Sequence, residues 1–277
     1  MNKTLRAATI AAATLPALFA LSGCQKLKAR DQLNKGVQAY KATHYEQAIE
    51  NFKNAVNLDP GLNVARLYLA TAYANAYVPG VDTPENNQNA DQAIENFKKV
   101  LEQNPDKQVR VASLKGIASL LFNEKKLDDA KEYQKKIIAE QPDDPEAHYS
   151  IGVIDWTQTY KPRMEVRAKL GLAKPEEPIK DKKACEQLKE QNQDKVNEGI
   201  DELQKAMQYR QDYDDAMAYM NLMYREKADI ECGDDAAREQ DLKTADDWVQ
   251  KTMATKQEKA KKQQSAGGIV MENNGNK

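Results

Sequence analysis

Three cysteines and two histidines are the side chains best suited to covalent or metal chemistry in this chain of 277 residues. Cys24 closes an apolar run, and its thiol is a nucleophile that can take an alkyl group. Cys185 and Cys232 stand far apart in sequence. His44 and His148 each precede a tyrosine, and neither belongs to an HExxH pair. There is no CxxC, no Gly-rich phosphate loop and no Ser in a nucleophile-elbow context. Acidic pairs recur at Asp128-Asp129, Asp214-Asp215, Asp234-Asp235 and Asp246-Asp247. Several open or precede helical patterns, where a carboxylate caps exposed amides and suits the helix dipole. His44 reads as a solvated turn residue and His148 as a groove or surface residue. The residues therefore predict no enzyme, no metal and no cofactor. What remains is thiol modification and non-covalent binding.

The setting of Cys24 explains its thiol. Lys3 and Arg6 give a positive start, Ala7 to Leu21 is apolar apart from a break at Pro16, and Ser22 and Gly23 are small. This is the pattern of a secretory signal, shorter than the ~20 apolar residues a spanning helix needs. Leu21-Ser22-Gly23-Cys24 resembles the bacterial lipobox. The resemblance implies cleavage before Cys24, a diacylglycerol on its thiol and usually an acylated amine. Each buried methylene contributes about 0.8 kcal/mol, so two or three chains hold a protein on a membrane. By the same resemblance, Gln25 in place of an Asp implies sorting to the outer membrane, facing the periplasm. The expected order is a signal peptide over 1–23 and a lipidated tether over 24–28.

Net charge is −2, and it becomes −4 once a signal peptide carrying Lys3 and Arg6 is removed. Such a balance argues against a nucleic-acid binder, which usually shows a basic face. The mixture of Ala, Glu, Lys, Gln and Leu favours helix, and no sustained alternation argues for strands. One spacing recurs. Ala48 to Pro60, Ala93 to Pro105 and Ala130 to Pro142 are each twelve residues apart. A proline disfavours helix in the residue before it and so ends each segment.

These segments resemble the tetratricopeptide repeat, a helix-turn-helix unit of about 34 residues. Gly36, Tyr45, Ala48, Phe52, Ala55 and Pro60 carry the first match. Ala70, Tyr73, Ala93, Phe97 and Pro105 carry the second, and Ala118, Leu121, Ala130 and Pro142 the third. A fourth repeat begins at Tyr149, Ile151 and Gly152 and resumes at Gly199, Leu203 and Ala206. A weaker fifth holds Tyr224 and Ala245. The resemblance implies an all-α fold over 29–252: an α-solenoid of about five helix pairs in a right-handed superhelix. Small residues let helix axes approach to about 8–10 Å, and stacked repeats enclose one continuous core. Two departures stand out, a Pro- and Asn-rich loop around 78–88 and an insert over 157–183. Within the insert, Met164 to Leu172 is expected to form a short amphipathic helix after Pro162, with a solvated excursion as the alternative. Residues 253–277 are expected to be a charged tail that begins as a helix extension, becomes Gly- and Asn-rich and ends in disorder.

In tetratricopeptide proteins the first helix of each repeat lines the concave groove. Carried onto this sequence, the groove set is Tyr40, Lys41, Asn75, Lys115, Phe122, Asn123, Tyr149, Trp156 and Arg225, with Val153 and Phe122 as possible core residues. Aromatic anchors beside amide and cationic groups suit an extended peptide or a partner helix. In this layout Cys185 opens the second helix of repeat four and Cys232 follows the first helix of repeat five. Position 185 then lies opposite about 237, an offset of about 7.5 Å that loop geometry can absorb. A disulfide is expected, and two separate buried thiols are the alternative. The implied function is a membrane-anchored scaffold for proteins or peptides of the cell envelope, with no nucleic acid and no small-molecule substrate. An accessory subunit of an envelope enzyme and a passive spacer are the alternatives.

Overall fold

The computed structural model describes the backbone of residues 5–266 and the side chains of residues 23–265. The expected signal peptide and the end of the expected tail therefore lie partly outside the described residues. The described residues hold ten helices and no strand. They are α1 (Leu5–Lys41), α2 (Tyr45–Leu58), α3 (Asn63–Ala76), α4 (Pro84–Leu101), α5 (Lys107–Asn123), α6 (Leu127–Glu140), α7 (Pro145–Lys169), α8 (Lys182–Tyr209), α9 (Asp214–Ala228) and α10 (Asp235–Ala266). Successive helices pack in pairs, α1 with α2, α3 with α4, α7 with α8 and α9 with α10. Among the described residues no helix is long and apolar enough to cross a membrane. The chain divides into two compact units, Met1–Tyr133 and Gln134–Lys277.

In the first unit α1 packs on α2, α2 on α3, α3 on α4 and α4 on α5, and α1, α3 and α5 also touch in series. The sequence dictates this face by face. On α2, Ala48, Ile49, Phe52, Ala55 and Val56 are buried. That spacing is one apolar stripe of a 3.6-residue period. Phe52 is fully buried, a contribution of about 1.5–3 kcal/mol. It reaches α1 at Gly36, where a Cβ would stand 2.4 Å from the Phe52 ring. Only glycine lets the two helices meet there. Thr83 caps α4 by accepting from the Asn86 amide, with Pro84 at the first helical position. Asp106 caps α5 by accepting from the Val109 amide at 3.0 Å. The loop before α4 is shorter than the sequence suggested, because Glu85 to Gln88 join the helix behind this cap. The expected tether over 24–28 is likewise helical, the continuation of α1.

In the second unit α7 packs on α8, α8 on α9 and α9 on α10, and α7 also touches α9. Asp144 opens α7, accepting from the amides of Glu146 (3.0 Å) and Ala147 (3.1 Å). The helix then runs to Lys169 with Pro162 inside it. This corrects the sequence expectation of a break at Pro162 and a separate short helix. Proline removes one backbone hydrogen bond and crowds the preceding turn. Tertiary contacts outweigh that cost. One turn apart on α7, Arg163 and Arg167 reach a buried pair of carboxylates on α9 and its end. Arg163 meets Asp229 at 2.7 Å and Glu226 at 3.1 Å, and Arg167 meets Asp229 at 2.8 Å. Arg167 also donates to the carbonyls of Lys174 and Glu177, and Arg238 of α10 donates to that of Glu176 at 2.6 Å. Only 170–181 of the insert lies outside a helix, and these bonds dock it onto the unit.

Cys185 and Cys232 are joined by a disulfide, with an S–S distance of 2.08 Å and Cα atoms 5.7 Å apart. The partner of position 185 is thus five residues earlier than the expected register, in the loop after α9. The last helix continues through 253–266, as the charged helical extension expected at the start of the tail. Lys259 pairs with Asp214 across this stretch.

Candidate protein-binding surface

The first helices of the two repeats in the second unit place aromatic side chains side by side. Tyr149, Trp156 and Tyr160 recur on α7 at i, i+7 and i+11, which is one face of a helix. Tyr213 stands at the start of α9, and Tyr219 follows on it. Tyr149 lies 4.9 Å from Tyr213 and 5.6 Å from Tyr219, centroid to centroid. Trp156 lies 5.4 Å from Tyr219 and 5.0 Å from Tyr160. The five rings form one connected row. Tyr213 is buried, Tyr149, Trp156 and Tyr219 are half-buried, and Tyr160 is 42% exposed, with exposed Met164 one turn further on. Offset and edge-on contacts of this kind add about 0.5–1.5 kcal/mol per pair beyond area burial.

Polar groups fix the inner end. The Tyr213 hydroxyl donates to Glu146 at 2.5 Å, and Arg210 pairs with the same carboxylate at 2.6 Å. The Arg210 guanidinium also sits 4.3 Å over the Tyr213 ring. Burial works to raise the Glu146 carboxyl, but the bonds from Tyr213 and Arg210 outweigh it and hold it below the usual carboxylate range. Burial pushes the Tyr149 and Tyr213 phenols far up, helped by Tyr219 and Asp215 at Tyr149 and by Glu146 at Tyr213. Both therefore stay neutral at physiological pH. The surface offers neutral, pre-positioned rings, which suit non-covalent contact better than proton transfer.

The groove residues expected from the sequence fall into five groups. Tyr149 and Trp156 meet through Tyr219. Tyr40 and Asn75 also meet, the Asn75 amide donating to the Tyr40 hydroxyl at 2.5 Å, with Tyr45 5.6 Å from the Tyr40 ring. Lys41 and Lys115 are exposed. Phe122 and Asn123 are half-buried at the end of α5, with the Lys125 ammonium 5.7 Å from the Phe122 ring. Arg225 points elsewhere: it bonds Asn221 at 2.9 Å and pairs with Asp246 of α10 at 2.7 Å. His148, read from the sequence as a groove or surface residue, is buried instead. Its Nδ1 meets Glu202 at 2.5 Å and its Nε2 meets the Pro142 carbonyl at 2.9 Å. Sequence reasoning missed Tyr213 and Tyr219. The spacing of Tyr219 and Tyr224 within one helix did not distinguish the face toward α7 from the face toward α10.

A family model of the tetratricopeptide repeat matches residues 87–152. The fold is of the tetratricopeptide-repeat type. The chain is similar to MamA (residues 41 to the end) from Desulfovibrio magneticus RS-1, at 17% identity and a TM-score of 0.54 over 83% of this chain and 96% of that one. A second MamA crystal structure gives 16% identity and a TM-score of 0.55 over 84% and 94%. At these identities the likeness is one of tetratricopeptide-type fold. No curated protein matches the chain by sequence.

Proposed function

We propose that this chain is a non-catalytic protein-interaction scaffold, held on a membrane by acylated Cys24, that takes an extended segment of a partner protein on the aromatic row of its second unit. The observation that carries this reading is the row itself, five rings in contact across two neighbouring first helices and open at the Tyr160 end. Tetratricopeptide-type folds suit the role because stacked repeats build an extended concave surface. The lipobox-like Leu21-Ser22-Gly23-Cys24 and the following Gln25 support an address at the outer membrane, facing the periplasm, where the partner belongs to an envelope complex.

Capture from envelope extracts tests the binding reading. Acylated wild-type protein is expected to recover a stoichiometric partner. Trp156→Ala and Tyr160→Ala are each expected to weaken it at least ten-fold, since truncating an aromatic anchor costs about 2 kcal/mol or more. Unchanged far-UV circular dichroism shows that the fold survives. Full recovery by both variants would remove the row from the binding site. Mass spectrometry of Cys24 tests the anchor separately, and an unmodified thiol on the mature chain rejects it.

A further inference from the structure

The first unit begins with almost no slack. Every residue from Gly23 to Lys28 is exposed, and Ala29 is fully buried. Helix α1 passes through this stretch without a break, so the packed body starts five residues after Cys24. Five residues rise about 7.5 Å as helix and at most about 17 Å when fully extended. Whatever conformation this short stretch takes, the first repeat stays close to whatever holds Cys24.

The chemistry of the stretch is one-sided. Lys26, Lys28 and Arg30 are exposed, and Leu27 between them is 68% exposed. The first acid after Cys24 is Asp31, which is paired with Lys35 at 2.8 Å. With Ala29 turned inward, the cations and Leu27 occupy the outward arc of the helix. Screening lengths near 8–10 Å leave charges this close to a bilayer within reach of its surface potential.

We propose that Lys26, Leu27, Lys28 and Arg30 form a membrane-contact surface for anionic phospholipid headgroups, which holds the first repeat against the bilayer instead of on a free tether. This rests on the acylation of Cys24 proposed above. Each cation near an anionic surface strengthens contact about five-fold, and Leu27 lies where the headgroups meet the acyl chains. An acidic protein partner is the competing occupant.

Amine acetylation of the full acylated protein in nanodiscs, read by mass spectrometry, tests the surface. One set of discs is phosphatidylcholine and the other contains one-third phosphatidylglycerol. Lys26 and Lys28 are expected to react at least five-fold more slowly on the anionic discs, relative to exposed Lys98, and to regain their rate in 1 M salt. Equal rates on the two discs, with acyl mass present on Cys24, overturn this contact and leave the anchor standing. Protection that arises only when envelope proteins are added overturns it in favour of a protein occupant. Absence of acyl mass on Cys24 overturns the anchor and this contact together.

Discussion

Replacing Gly152 by alanine tests whether close helix approach, rather than helix propensity, governs the second unit. In an exposed helix interior alanine is favoured over glycine by about 1 kcal/mol, so propensity alone expects a gain. Here the added Cβ would stand 2.5 Å from Leu203 Cγ and 2.8 Å from its Cδ2. Carbon pairs settle at about 3.5–4.0 Å, so something must move by roughly an ångström. Leu203 is fully buried and has no solvent to retreat into. Overpacking of this kind costs about 1–3 kcal/mol, which offsets the propensity gain and leaves a net loss of up to about 2 kcal/mol. In a unit of this size that lowers the midpoint by up to roughly 8 °C. The assay is thermal unfolding followed by circular dichroism on residues 24–277 with Cys24→Ser. Leu203→Ala removes the obstructing atoms, so adding Gly152→Ala to it should cost little or stabilise. A higher midpoint for Gly152→Ala alone, or the same penalty with and without Leu203, would refute the reasoning.

Burial pushes Glu226 up to about 7 in spite of Arg163 beside it. A carboxyl whose folded value lies above its unfolded value of 4.5 contributes stability that is complete below about pH 4.5 and lost as the pH rises through about 7. The urea midpoint of the wild type should therefore fall more steeply between pH 5 and pH 8 than that of Glu226→Gln, and parallel slopes would count against it. Asp229→Ala strips a shared partner from Arg163 and Arg167, both at least nine-tenths buried, and is expected to cost about 3–5 kcal/mol in urea titrations. Cys185→Ser opens a covalent loop with a sequence separation of 47, and chain entropy sets the expected loss at about 4 kcal/mol. Melting curves of the wild type with and without reductant should show the same difference.

The repeat core was legible in the sequence because it depends on short-range spacing. Ala48, Phe52 and Ala55, and likewise Leu203 and Ala206, are fully buried where their spacing placed them. Gly36 and Gly152 each face a large side chain, the geometry that a recurrent small residue implies. Pro162 misled because local backbone rules end a helix there, while the ion pairs that carry α7 through it join residues more than sixty positions apart. Arg163 and Arg167 do share a face at i, i+4, and Glu226 and Asp229 at i, i+3. Such spacings read as solvated helix surface until the partner helix is known. The aromatic row was half legible for the same reason. Tyr149 and Trp156 share a helical face that the repeat pattern marks, whereas the choice of Tyr213 and Tyr219 as their neighbours depends on how α9 is rotated against α7. Arg225 was misplaced by that same rotation.

The bond between Cys185 and Cys232 spans most of α8, the turn near Gln211 and the whole of α9, and so ties that hairpin into a closed covalent ring. A protease that cuts once inside the ring cannot release a fragment, because both halves stay tethered through sulfur. A nicked molecule would keep its full mass under oxidising conditions and separate into two pieces only on a reducing gel. Damage to this hairpin can therefore go unseen until thiols are added.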